Sequence, residues 1–349
     1  MLELSQIFEL AAKKAASDVH LVVGSPPIIR IDGRLHEIKN EAPVTRVSAE
    51  KLIYKLLEPQ QKERLVQEKE LDVSYQLKDE TRFRVNCHYE KNNLGLVARI
   101  IPSVVPKLED IGATPTIFNL TRLDEGLILV TGPTGHGKST TLAAMVDLIN
   151  TEQSAHIVTL EDPIEFIFRP KKCIIRQRQL GTDMLSFAQG LKHILRQDPD
   201  VIMVGEMRDL ETVAATITLA ETGHLVLATL HTLNAAQTID RIIDSFPPHQ
   251  QAQVKLQLSM TLRGIISQKL LPKVGGGRVA AREILINNPA VANMIRENKI
   301  AQIKTAIQTS ADEGMITMDN ALLKLYKDSM IDPEVAEAYI YDTSLLKKL

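Results

Sequence analysis

Cysteine is scarce in this chain: Cys87 and Cys173 are the two in 349 residues, far apart and in no CxxC pair. That argues against a disulfide framework and a paired-cysteine zinc ribbon, and for a reducing compartment. No stretch approaches the roughly 20 apolar residues of a membrane span, and the opening "MLELSQIFELAAKKAAS" is amphipathic, without the apolar core of a secretory leader. A cytoplasmic protein is expected, one that meets a membrane only by docking on a machine there. Charge of one sign is missing too, since 41 Lys and Arg oppose 43 Asp and Glu for a formal net charge of -2. Nucleic acid is therefore not an expected partner. Tandem repeats and low-complexity tracts are also absent. What is there, 44% hydrophobic and 24% charged residues, is the composition of a globular chain, here long enough for two domains.

Residues 1–102 read as a small α+β domain. A first helix precedes "DVHLVV" and "PIIRIDGRLHEI", then come a helical "AEKLIYKLL" and three strand-like runs, "LDVSYQL", "RFRVNCHYE" and "NLGLVARII". Residues 103–118 hold prolines and a glycine without a sustained period, the mark of a linker with a short entry helix. From 119 to 287 the pattern changes. β-Branched runs such as "GLILVTG", "HIVTLED", "CIIRQRQ", "DVIMVGE" and "HLVLATLH" alternate with helical segments. Such alternation implies parallel crossovers and an α/β sheet whose ligands sit at the carboxyl ends of its strands. Residues 288–349 read as a helical carboxyl-terminal segment.

Chemistry concentrates where strands end. "GPTGHGKST", Gly132 to Thr140, lies between an apolar strand and a helix and contains the pattern GxxxxGK[ST]. Its backbone amides would cradle phosphates, with Gly132, Pro133, Thr134, Gly135, His136, Gly137, Lys138, Ser139 and Thr140 as the binding loop. Lys138 would reach the β and γ phosphates and the Ser139 hydroxyl would ligate Mg2+, making ATP the expected ligand. Hydrolysis also needs a carboxylate. Glu206, after the run Val201 to Val204, is a candidate to polarise water or hold the magnesium shell. Glu161, Asp162 and Glu165 follow another apolar run, and acids beside a phosphate site suit metal or water positioning. His224 and His231 stand too far apart along one strand to share a metal. His231 is placed to sense the γ phosphate, and His224 reads as a structural hydrogen-bonding residue. Arg82, Arg84 and Arg99 on the amino-terminal strands are either surface arginines or, in a ring, charge-neutralising groups lent across a subunit boundary.

In this order, "ASDVHLVVGSPPIIRIDGRL", "GPTGHGKSTT", "TLEDPIEF", "RQDPDVIMVGEMRD" and "AETGHLVLATLHT" resemble the secretion-type hexameric ATPases, and among them the PilT-like retraction motors of type IV pili. The resemblance spans nearly the whole chain. It implies a RecA-like P-loop ATPase core behind a smaller PAS-like amino-terminal domain, in a homohexamer with nucleotide between subunits. Lys138 and Ser139 then lie in Walker A, Glu206 in Walker B, Glu161 to Glu165 in the Asp box, and His224 and His231 in the His box. Glu165, with Glu161 second, would prepare the attacking water. Partners implied are an inner-membrane pilus platform protein and a second pilus ATPase.

Two positions depart from that pattern. His136 stands where such motors usually carry serine, at a loop position expected to contribute mainly backbone. "AVANMIRE" is similar to the retraction signature "AIRNLIRE" but has Ala292 for its arginine. The paired-CxxC insertion general in pilus extension and type II secretion ATPases is absent, which ranks retraction above those two functions. A nucleotide-binding regulator with little turnover is the alternative from another class.

Overall fold

The computed structural model describes residues 2–31, 33–101 and 104–342. The chain forms two compact units, Met1–Val104 with Glu165–Ile167, and Val105–Ile164 with Phe168–Leu349.

In the first unit, helix α1 (Leu4–Lys13) leads into strands β1 (Asp18–Leu21), β2 (Ile28–Ile31) and β3 (Arg34–Glu37). Helices α2 (Arg46–Leu56) and α3 (Pro59–Glu68) follow, then strands β4 (Glu70–Gln76), β5 (Arg82–Glu90) and β6 (Asn93–Ile101). The six strands pair antiparallel in the order β3-β2-β1-β6-β5-β4. Alternation explains the core: Phe83, Val85 and Cys87 of β5 turn inward while Arg84 is exposed. Leu4, Ile7, Phe8 and Ala11, at helical spacing, bury one face of α1, where Phe8 stacks on Phe83 with centroids 4.4 Å apart.

The second unit begins with helix α4 (Pro115–Thr121) and runs through β7 (Gly126–Thr131), α5 (Lys138–Glu152), β8 (His156–Glu161), β9 (Ile174–Gln179) and α6 (Phe187–Ile194). It continues with β10 (Val201–Val204), α7 (Leu210–Glu221), β11 (Leu225–Leu230), α8 (Ala235–Asp244), α9 (Pro248–Thr261), β12 (Leu262–Pro272) and β13 (Arg278–Ile286). Helices α10 (Pro289–Arg296), α11 (Ile303–Thr309), α12 (Met318–Lys327) and α13 (Pro333–Tyr339) complete it. Its sheet has the order β13-β12-β7-β11-β10-β8-β9. Every residue of β7, β10 and β11 is buried, as strands covered on both faces require.

The expected parallel sheet needs one correction: β13 pairs antiparallel with β12, from Gly264↔Ile286 to Pro272↔Arg278. Five residues, "KVGGG" (273–277), join them, too few for a crossover and enough for a hairpin whose three glycines take positive φ. Among the described residues no helix is long and apolar enough to cross a membrane.

Candidate active site

The segment after β7 shows why glycine is written there. Gly132 has φ +141°, and a Cβ on it would run into the Gln268 carbonyl of β12; Gly137, with φ +80°, sits with the Gln268 amide nitrogen 2.9 Å from where its Cβ would be. Any other residue would push the loop off the sheet or strain its backbone. Gly137 is also the N-cap of α5 and, having no side chain, makes no cap hydrogen bond to the first-turn amides. Those amides point outward with the positive end of the helix, an arrangement suited to an anion. Thr134 and Gly135 are exposed, Pro133, Ser139 and Thr140 half-buried, and Lys138 buried. Lys138 Nζ donates to the carbonyls of Gly132 (2.9 Å) and Pro133 (3.0 Å).

Strand order brings the remaining groups to this loop. β11 lies between β7 and β10, and β8 lies beyond β10, so the residues ending these strands line one edge as Lys138, His231, Glu206 and Glu161. His231 bridges its neighbours, with Nδ1 3.5 Å from Lys138 Nζ and Nε2 3.4 Å from Glu206 Oε2. An ammonium can only donate and a carboxylate can only accept, so these contacts suit a ring that accepts at Nδ1 and donates at Nε2. Thr134 Oγ1 lies 3.4 Å from the same Nδ1. The other Glu206 oxygen accepts from Arg208 Nη2 at 2.6 Å.

Gly205 lets β8 and β10 close up. Its amide donates to the Leu160 carbonyl at 2.8 Å, and a Cβ there would sit 3.1 Å from that oxygen. Glu161 thereby ends one strand beside the start of the Glu206 loop. It is buried, and its Oε1 accepts from Thr159 Oγ1 (2.6 Å) and Gln177 Nε2 (3.1 Å). Glu165 is exposed and belongs to the first compact unit, so it and Glu161, the last residue of β8, fall in different environments. His224, at the opposite end of β11 from His231, donates through Nδ1 to the Leu219 carbonyl at 3.0 Å and closes the end of α7.

The three arginines lie on the first unit's sheet. Arg84 and Arg99 are directly opposite each other on β5 and β6, and Asp18 is opposite both Arg99 and Arg30. Arg99 Nε donates to Asp18 at 2.8 Å, Arg30 lies 3.7 Å from that carboxylate, and Arg84 lies 3.8 Å from Asp72. Burial works to raise the Asp18 pKa, but the Ser17 hydroxyl and Arg99 outweigh it and hold the carboxyl below its ordinary value. Two arginines facing each other across a strand pair repel, and each has an acid beside it, Asp18 for Arg99 and Asp72 for Arg84. The Arg82 Nε is buried with no hydrogen-bond partner.

Three participants escaped the sequence reading. Arg208 pairs with Glu206. Gln268 and Arg282, on β12 and β13, lie beneath the phosphate loop, and with β12 unread neither had a place near it. His136 also does more than supply backbone: its carbonyl accepts from Gln268 Nε2 at 2.6 Å, and its Nδ1 accepts from the Leu270 amide at 3.0 Å. Burial pushes its pKa down, helped by the nearby cations Lys138, Lys269 and Arg278, so the ring is neutral when it accepts that bond.

The family described as "Type II/IV secretion system protein" matches residues 2–316. The chain belongs to that family. This member is 46% identical over 335 residues, covering 96% of it and 97% of the relative, to a type IV pilus retraction ATPase, PilT, of Pseudomonas aeruginosa. It is 37% identical, covering 97% and 88%, to the type IV pilus ATPase PilU of the same organism. A crystal structure of the pilus retraction motor PilT with bound ADP superposes on this family member with a TM-score of 0.94 at 44% identity, covering 100% of each chain. These likenesses bear out the expected fold, an α/β ATPase core, and the expected activity, an ATPase of the pilus-retraction kind.

Proposed function

We propose that this ATPase works as a homohexameric motor at the inner membrane, acting on the platform protein of a type IV pilus, with a second pilus ATPase as a further partner. One observation carries the catalytic part of that reading: the contact chain Lys138–His231–Glu206 at the carboxyl edge of the sheet, beside a glycine-cut phosphate loop. Lys138 would leave the loop carbonyls for phosphate oxygens, while the loop amides and the first turn of α5 take the rest of the phosphate charge. His231 couples that lysine to Glu206, so the phosphate and the water-organising carboxylate sense each other through one ring.

Magnesium fits this donor set in a particular way. Among the described residues no cluster of three His, Cys, Asp or Glu is arranged to hold a metal. The Ser139 hydroxyl would hold the ion, with Glu206 acting on it through water, as is usual for Mg2+. Bound there, the ion would neutralise charge on the phosphates.

Glu165 is our first choice as the residue that prepares water and Glu161 our second. Glu161 is buried, whereas Glu165 is exposed to solvent water. Arg82, Arg84 and Arg99 would neutralise transition-state charge in a neighbouring subunit.

The test is the steady-state ATPase rate against protein concentration, with Glu206→Gln as reference. The specific rate should climb to a plateau as rings assemble, and Glu206→Gln should lose about 10²–10⁴-fold in kcat while still binding nucleotide. A wild-type rate equal to the reference at every concentration would overturn the motor reading.

A further inference from the structure

Gln268 is 2% exposed and occupies the floor of the phosphate loop. Its Nε2 donates to the His136 carbonyl at 2.6 Å, while its Oε1 accepts from Thr141 Oγ1 at 2.8 Å and from Arg282 Nε at 3.1 Å. Arginine can only donate and a peptide carbonyl can only accept, so these two partners permit one orientation of the amide. Reversing it would set NH2 against guanidinium and carbonyl against carbonyl. Arg282, 5% exposed, donates from Nη1 to the Gly112 carbonyl (3.0 Å) and from Nη2 to the Ile111 carbonyl (2.9 Å). Those two belong to the turn through which the chain enters the second unit, before α4. Such a buried arginine, bonded only to neutral oxygens, is an expensive way to fill space, and a hydrophobic residue would fill it at less cost.

We propose that Gln268, held in one orientation by Arg282, is a positioning residue for nucleotide binding: it fixes the His136 carbonyl and, through that peptide, the flanking amides that face the phosphates. The absence of a Cβ at Gly132 and Gly137 fits the same geometry, because both glycines close directly onto Gln268. Loop and strand are built against each other, and the amide settles how the loop sits. The inference rests on Gly132 to Thr140 being the phosphate loop.

Two near-isosteric variants separate positioning from mere support. Gln268→Glu keeps acceptors for Thr141 and Arg282 but presents no donor to the His136 carbonyl. Gln268→Met loses all three bonds and adds no charge. The affinity of the full chain for a fluorescent ADP analogue is measured beside the unfolding midpoint without nucleotide. We expect both variants to bind roughly five- to tenfold more weakly, the effect of about one hydrogen bond, while Gln268→Met, which loses three bonds, melts earlier than Gln268→Glu, which loses one. Weak binding by Gln268→Met alone would mean that affinity follows stability; weak binding by Gln268→Glu alone would mean charge repulsion; unchanged binding by both would mean no role. Each of these overturns the proposal. Lys138→Ala guards the premise separately: if it binds the analogue as tightly as wild type, the loop assignment fails whatever Gln268 does.

Discussion

His136, within the loop, and His231, at the end of β11 beside it, make different kinds of contact. His231 links a lysine to a glutamate, and replacing it with alanine should lower kcat by about 10²-fold or more with little change in nucleotide affinity, as single-turnover hydrolysis would show. His136 is a hydrogen-bond acceptor from β12, so its protonation removes a bond. Its folded-state pKa lies below the ordinary 6.5, hence the unfolded chain takes up the proton first. Its contribution to stability is therefore complete above that ordinary value and is lost as pH falls through the depressed folded-state pKa. Melting curves between pH 8 and pH 5 should show wild type losing stability on acidification, and His136→Ser should lack that component. The loop glycines and Lys138 were legible in the sequence because the phosphate pattern is contiguous. Gln268 was not, because nothing in "IISQKLL" announces that its one polar amide faces a loop more than a hundred residues upstream.

Elements were read best where burial imposes a simple period. The all-apolar runs of β7, β10 and β11 announce strands covered on both faces, and α1 announces itself by Leu4, Ile7, Phe8 and Ala11. The hairpin of β12 and β13 was harder, since eleven residues of mixed polarity follow directly on α9 without a break. Its "KVGGG" turn was the available signal. The first unit offers a test of element packing. Phe8 is fully buried and stacked on Phe83, so Phe8→Ala should cost about 3–5 kcal/mol. Hydrogen exchange should then quicken across residues 2–101, with the peptides of β7, β10 and β11 much less affected.

For the whole molecule, the proposal that arginines of one subunit act on nucleotide in another makes a complementation prediction. Arg99→Ala and Glu206→Gln place their defects in different units of the chain. If the arginines act across subunits, mixing the two inactive proteins before ring assembly should restore measurable ATPase activity; if they act within a subunit, the mixture should stay as inactive as either alone. The sequence by itself determined two units of different class, a glycine-rich GxxxxGK[ST] loop, and acids and histidines at strand ends, because each of these is written in residues close together along the chain. In chain order those ends read loop, Glu161, Glu206, His231. Only the tertiary structure decided that His231 stands between Lys138 and Glu206 with Glu161 outermost, since β11 pairs with β7 on one side and β10 on the other. Strand order is a property of the packed sheet, set by which buried faces fit together, and no local stretch of sequence carries it.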